Sequence, residues 1–275
     1  MQNALIVLTL LVIVLSACAT PTLVPPPTST PAPSPTPEGE RTGWNLVWHD
    51  EFNGDQLDRT NWTFDLGANG WGNAELEQYT NSSDNVRVEN GQLIIEARKD
   101  DKATYGYSSA RLKTQGLHTW QYGRVEARLK LPAGQGIWPA FWMLGDGANW
   151  PGGGEIDIME FIGKTPNTIY TTVHGPGYAG AKGITSHVDL PEGSLLNDFH
   201  VYAVEWEAQE IRWYIDGTQI FKVTIDAVPG KWVFDHPFFI ILNVAVGGGW
   251  PGFPDETTMF PQQMVVDYIR VYQKP

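Results

Sequence analysis

The sequence predicts an all-β domain, two antiparallel sheets stacked as a jelly-roll-type sandwich, and three observations carry that expectation. Short segments of alternating apolar and polar residues recur from Arg41 to the end. Gly, Pro, Asn and Asp punctuate them, and no stretch carries the stripe of a long amphipathic helix. Hydrophobic residues make up 42% of the 275, enough for one sizeable core and too few for repeated membrane spans.

The strands come in order along the chain. Val86 to Glu89 and Gln92 to Glu96 flank Asn90-Gly91, a dipeptide whose tolerance of positive φ closes a tight hairpin. Gly123 to Leu131, Ile169 to His174 and Phe199 to Trp206 come next. Ile211 to Ile215 and Thr218 to Phe221 flank Asp216-Gly217 in the manner of the first hairpin, and Phe238 to Val246 and Met264 to Tyr272 complete the set. With no internal repeat, residues 41–275 read as one domain, expected to act as a monomer.

Two segments precede it. Ala4 to Leu15 is an apolar run too short for a comfortable membrane-spanning helix and placed where a secretory leader has its apolar region, so residues 1–17 read as a signal peptide. Leu15-Ser16-Ala17-Cys18 resembles a bacterial lipoprotein signal, which implies lipidation of Cys18, the sole cysteine. Residues 18–40 are dominated by Pro, Thr and Ser, which bias the backbone toward extended conformations and supply no core; they read as a tether. The expected location is the outer side of a cell membrane, reached only through the lipid anchor, or the medium.

A formal charge of -13 opposes binding to nucleic acid, since phosphates repel an acidic surface. A neutral polymer suits it better. Twelve Trp residues offer flat apolar faces with a polar edge, on which sugar rings stack.

Chemistry concentrates in Gly154-Glu155-Ile156-Asp157-Ile158-Met159-Glu160-Phe161. Glu155 and Asp157 are two apart, so a strand points both to one face, whereas Glu160 would point to the other. A β-bulge within Ile158-Met159 adds one residue and returns Glu160 to the shared face. Three like charges held together are unfavourable unless some are protonated. Retaining glycoside hydrolysis gives them a purpose, because it needs two carboxyls about 5–5.5 Å apart, one ionised to attack and one protonated to donate. Asp157, between them, can hydrogen-bond the nucleophile and raise the proton affinity of Glu160. The competing readings are a charged edge strand and a carboxylate metal site; the flanking Ile, Met and Phe, which imply one buried face, weigh against them.

This stretch resembles the catalytic strand of glycoside hydrolase family 16, whose E-x-D-x-(x)-E pattern appears here with the longer spacing. The resemblance extends from Trp44 to Tyr272 through Trp48-His49-Asp50-Glu51-Phe52, Gly136-Ile137-Trp138-Pro139-Ala140-Phe141-Trp142-Met143 and Val266-Asp267-Tyr268-Ile269-Arg270-Val271-Tyr272. It implies a concanavalin-like jelly roll with a groove on the concave sheet, Glu155 as nucleophile, Glu160 as acid/base and Asp157 as assistant. The inserted Met159 and the Trp-Pro-Ala-Phe-Trp run resemble the laminarinase branch, which implies an endo-acting β-1,3-glucanase. Further roles are implied residue by residue. Trp138 and Trp142 would flank the cleavage point as sugar platforms, and Asn73 and Arg111 would bind glycone hydroxyls. His174 would face the acid/base, and Trp250 would cover the far end of the groove. No cofactor is expected for catalysis. A structural calcium on the convex side is implied at Glu51, Gly91 and Asp267, with water completing its shell.

Fold alone does not fix function. A glucan-binding surface protein would keep the Trp platforms without needing Glu155, Asp157 and Glu160 together, and mixed-linkage β-1,3-1,4-glucan is the alternative substrate.

Overall fold

The computed structural model describes residues 40–275; the leader, Cys18 and the tether up to residue 39 lie outside the described residues. The chain begins with β1 (Glu40–Arg41), β2 (Trp44–Asp50), β3 (Thr63–Asp65) and β4 (Glu77–Tyr79). The first predicted hairpin is formed by β5 (Val86–Glu89) and β6 (Gln92–Lys99). Asn90 and Gly91 at φ 55° and 75° turn it so that Glu89 pairs with Gln92. Next come β7 (Tyr107–Ser109), β8 (Arg111–Lys113), β9 (Gly123–Lys130), β10 (Ile137–Gly145), β11 (Glu155–Phe161), β12 (Thr168–His174) and β13 (Ile184–Asp189). Then β14 (His200–Glu207) leads into the second predicted hairpin, β15 (Glu210–Ile215) and β16 (Thr218–Thr224), turned by Asp216 and Gly217 at φ 48° and 79°. The chain closes with β17 (Phe238–Val246) and β18 (Gln262–Gln273). Helix among the described residues amounts to α1 (Ser194–Asn197) and two 3-10 turns.

Two sheets result, as expected. One runs β16-β15-β14-β9-β18-β6-β7-β4, with β2 and β5 joining at β18 and β6; the other runs β13-β12-β11-β10-β17-β8-β3. Pairing is antiparallel throughout except between β4 and β7. Every residue of β17 is buried, which suits its continuous Phe-Phe-Ile-Ile-Leu run between β10 and β8 in the interior of the second sheet. Trp62, Trp206, Trp213, Phe141, Phe161 and Leu242 are wholly buried; each such side chain stabilises the fold by roughly 1.5–3 kcal/mol relative to exposure. No helix among the described residues is long and apolar enough to cross a membrane.

Two strands depart from regular pairing at acidic residues. On β11 the ladder to β12 slips between Asp157 and Glu160. On β18, β9 occupies one edge from Val265 to Tyr272, while β6 pairs Gln262 to Val266 and β2 pairs Ile269 to Gln273 along the other. Asp267 falls at that changeover and is skipped in the β9 register between Val266 and Tyr268.

Candidate active site

The slip on β11 is a one-residue bulge. Asp157 pairs with Thr172 and Glu160 with Tyr170, so Ile158 and Met159 together oppose only Thr171. On the other side Asp157 pairs with Trp142, Met159 with Phe141 and Glu160 with Ala140. Ile156, Ile158, Met159 and Phe161 are buried at 2% exposure or less, while Glu155 and Glu160 remain partly exposed and Asp157 lies beneath them. At the bulge, Trp213 of the opposite sheet donates its indole N–H to the Asp157 carbonyl at 2.9 Å, which ties the irregular backbone to the core.

Glu155 meets three neighbours. Trp150, half-exposed on the loop before β11, donates its indole N–H to Oε2 of Glu155. Asp157 hydrogen-bonds its carboxyl, and His174 lies opposite in the ladder with Nε2 3.3 Å from Asp157 Oδ2. Burial, then the charge of Asp157, pushes Glu155 up to about 8, against the pull of His174 and of the Trp150 N–H. His174 itself is held above its ordinary value: burial opposes its charge, but the Asp157 hydrogen bond and the charges of Asp157 and Glu155 prevail. The expectation that His174 faces the acid/base is corrected. The β12 register sets it across from Glu155 and against Asp157, whereas Tyr170 stands opposite Glu160.

Glu160 has a different setting. Trp138 donates to Oε1 at 3.1 Å, and burial, followed by the charges of Asp157 and Glu155, raises Glu160 well above the carboxylate range. Trp250 meets Trp138 and Tyr170 edge-on at ring separations of 5.3 and 5.0 Å, so it packs against the indole that reaches this carboxyl. Trp138 and Trp142 share a face of β10, four residues apart, with Phe141 and Met143 turned to the core. A pair of carboxyls on one face in different surroundings, beside half-buried indoles, offers the attacking and the proton-donating group that double displacement at a sugar requires.

A second wall is built from β8, β10 and the segment before β4. Arg111 pairs with Asp65 at 3.0 Å, and its guanidinium lies 4.7 Å from the Trp142 ring centre and 5.1 Å from that of Trp71. Asn73 is exposed and donates to Glu75 at 2.8 Å. Sequence reasoning missed Trp71 and Trp150, although both stand in Gly-rich loops flanking motifs that it did identify. Asn243 and the Glu75–Glu77 pair carried no signal, because Glu-Leu-Glu reads as an ordinary exposed strand.

Cation ligands are of two kinds. Glu155, Asp157 and His174 offer ligand atoms within 4.8 Å of one another. On β18, Asp267 sits between the end of β2, which Glu51 follows, and the start of β6, which Gly91 precedes, so the three expected calcium positions meet at one junction. Their side chains have partners. Both Glu51 carboxylate oxygens accept from Arg270, at 2.8 and 2.9 Å, and Asp267 Oδ2 accepts from Arg128 at 2.8 Å. Arg270 and Arg128 thus occupy the two carboxylates at this junction.

The profile of Glycosyl hydrolases family 16 matches residues 73–270. A beta-glucanase of Rhodothermus marinus is 44% identical, over 84% of this chain and 85% of its own. The catalytic domain of an endo-1,3-beta-glucanase (laminarinase) from Thermotoga petrophila RKU-1 superposes with a TM-score of 0.80 at 50% identity, covering 84% of this chain and 98% of that one. The endo-beta-1,3-glucanase from Pyrococcus furiosus gives 0.80 at 52%, covering 84% and 95%.

Proposed function

Because the chain belongs to glycosyl hydrolase family 16, we infer that it is a retaining endo-β-1,3-glucanase that cleaves laminarin-like glucan by double displacement. The observation that carries the reading is the bulge that sets Glu155 and Glu160 on one face of β11 with Asp157 between them. Glycosidases of this family need no catalytic cofactor.

The different surroundings of the two acids divide the roles. Glu155, held by the Trp150 N–H and beside His174, attacks the anomeric carbon, and Glu160, whose carboxyl burial and the charges of Asp157 and Glu155 push toward the neutral form, protonates the departing oxygen. A covalent glycosyl-enzyme results. Glu160, now ionised, takes a proton from water, which attacks the same carbon and restores its configuration. Asp157 hydrogen-bonds Glu155 in the resting site, and His174 against it balances the extra charge. Proton NMR of the first products from laminarin tests the scheme. Fresh β-anomer is expected, and initial α-anomer would rule out retention.

Two further readings belong to this proposal. The apolar run Ala4 to Leu15 and the Leu-Ser-Ala-Cys ending support lipid anchoring at Cys18, with the tether holding a monomeric domain away from the membrane. Cys18→Ala is expected to move the protein from the detergent phase to the aqueous phase, and equal partitioning would refute the anchor. A structural calcium at Glu51, Gly91 and Asp267 is supported by the resemblance and by the junction on β18. Since Arg270 and Arg128 engage the side chains, backbone oxygens and water would supply much of its shell.

A further inference from the structure

Beside the sugar-facing side chains lies a buried polar chain that the catalytic scheme leaves unused. Trp142 Nε1 donates to Asn243 Oδ1 at 2.8 Å; Asn243 Nδ2 donates to the Tyr79 hydroxyl at 3.0 Å; and that hydroxyl donates to Glu75 Oε2 at 3.4 Å. From the other side, Asn73 Nδ2 donates to Glu75 Oε1 at 2.8 Å. The direction is fixed throughout. An indole nitrogen only donates, so Asn243 must present its oxygen to Trp142 and its NH2 to Tyr79, and Tyr79 must then send its proton on to Glu75. Glu75 is thus required to accept on Oε2, and on Oε1 it accepts from Asn73.

A neighbour makes that state attainable. Glu77, wholly buried, accepts the Val246 backbone N–H on Oε2 at 2.6 Å, and its carboxyl adjoins that of Glu75. Two adjoining buried carboxyls share one negative charge, and the donors converge on Glu75. Burial and then the Glu75 charge raise Glu77 well above the carboxylate range; Glu75, although raised by burial, is drawn down by Glu77, Asn73, Arg111 and Tyr79. The Asn73 and Tyr79 donors thus draw the shared charge toward Glu75. Backbone bonds dock the same segment on the end of β17, from Leu76 N to Val246 O at 2.8 Å and from Gly249 N to Asn73 O at 2.9 Å.

We propose that Glu75 is a positioning residue of the glucan site, which touches no sugar but fixes Asn73 and Trp142 from below and dictates which end of the Asn73 amide faces the groove. This rests on the reading of Asn73 and Trp142 as glucan contacts. With its NH2 held by Glu75, Asn73 turns Oδ1 outward, and that oxygen makes no hydrogen bond among the described residues. It is an acceptor for a sugar hydroxyl. Glu75→Gln keeps the shape but has one oxygen to offer where two are needed. The oxygen must go to Tyr79, because the Trp142 end of the chain cannot reverse, so the new NH2 meets Asn73. The Asn73 amide then flips and turns its own NH2 toward the sugar.

The test is an exchange of the pair. Glu75→Gln is expected to raise KM for laminari-oligosaccharides about tenfold, the order of one misdirected hydrogen bond, with kcat less affected. Asn73→Asp alone sets two carboxylates together and should impair binding by at least as much. Combining Asn73→Asp with Glu75→Gln restores an acceptor toward the sugar and should bring KM to within about threefold of wild type, a recovery that a merely structural Glu75 does not predict. Losses that add in the double variant, or an unchanged KM in Glu75→Gln, would overturn the proposal. Wild-type protein assayed alongside separates the two claims: no cleavage of β-1,3-glucan by wild type refutes the glucanase reading, whereas normal wild-type cleavage without rescue refutes only the role of Glu75.

Discussion

Trp138 donates its indole N–H to Oε1 of Glu160 at 3.1 Å, which leaves Oε2 as the oxygen that carries the proton. The same indole therefore offers a stacking face and selects the donating atom. Trp138→Phe keeps an aromatic face and removes that selection. A fall in kcat of about tenfold is expected on laminarin, with a smaller fall on an aryl glycoside whose leaving group needs little protonation. Equal losses on both substrates would show that Trp138 serves only as a platform.

Trp150 holds Glu155 through a second indole N–H, in competition with burial and the Asp157 charge. Its removal in Trp150→Phe raises Glu155 further. The nucleophile must be ionised, so the acid limb of the kcat/KM profile should move to higher pH. A loss of roughly three- to tenfold is expected at pH 6, shrinking as the pH rises. A loss independent of pH would argue that Trp150 acts on the sugar instead.

Glu155 also bears on stability. Its carboxyl titrates near 8 in the fold against 4.5 for the ordinary group, so folding favours the neutral form. That contribution is fully present below pH 4.5 and is lost as the pH rises toward 8. Glu155→Gln should therefore be inactive yet melt a few degrees above wild type at pH 8, while the two coincide near pH 4. Calorimetry across that range decides, and a variant no more stable at pH 8 would refute the destabilisation ascribed to ionising this acid.

For the proposed calcium, a chelator is expected to lower the melting temperature of wild type, because an ion bound only to the folded state stabilises it by mass action. Asp267→Ala should melt lower and no longer respond. Identical chelator shifts in both proteins would place any ion elsewhere.

Much of the fold was legible because its signals are local. Asn90-Gly91 and Asp216-Gly217 adopt the positive φ that their types favour, and both close two-residue turns between strands predicted on either side. The bulge was legible for a stricter reason: Glu155, Asp157 and Glu160 cannot share a face without it. What escaped depends on distant partners. Nothing near Glu75 in sequence announces Asn243, 168 positions on in the chain and reached only through Tyr79, and Trp213 looks like one more core indole until it meets the Asp157 carbonyl from the facing sheet. His174 shows the opposite error, since its match to a sequence pattern said less about its neighbour than the β12 register does.

The bulge also makes β11 unequal along its length to gain or loss of a residue. Removing Ile156 would set Glu155 and Asp157 side by side and send them to opposite faces, which abolishes the site. Removing Met159 instead gives Glu-Ile-Asp-Ile-Glu, a plain alternation that needs no bulge and still turns all three acids the same way. The loss would be one wholly buried side chain, about 2–5 kcal/mol of stability, and not the parity on which the chemistry depends. Ile158-Met159 is thus the one place between the two glutamates where the strand can change length while its reacting groups stay in phase.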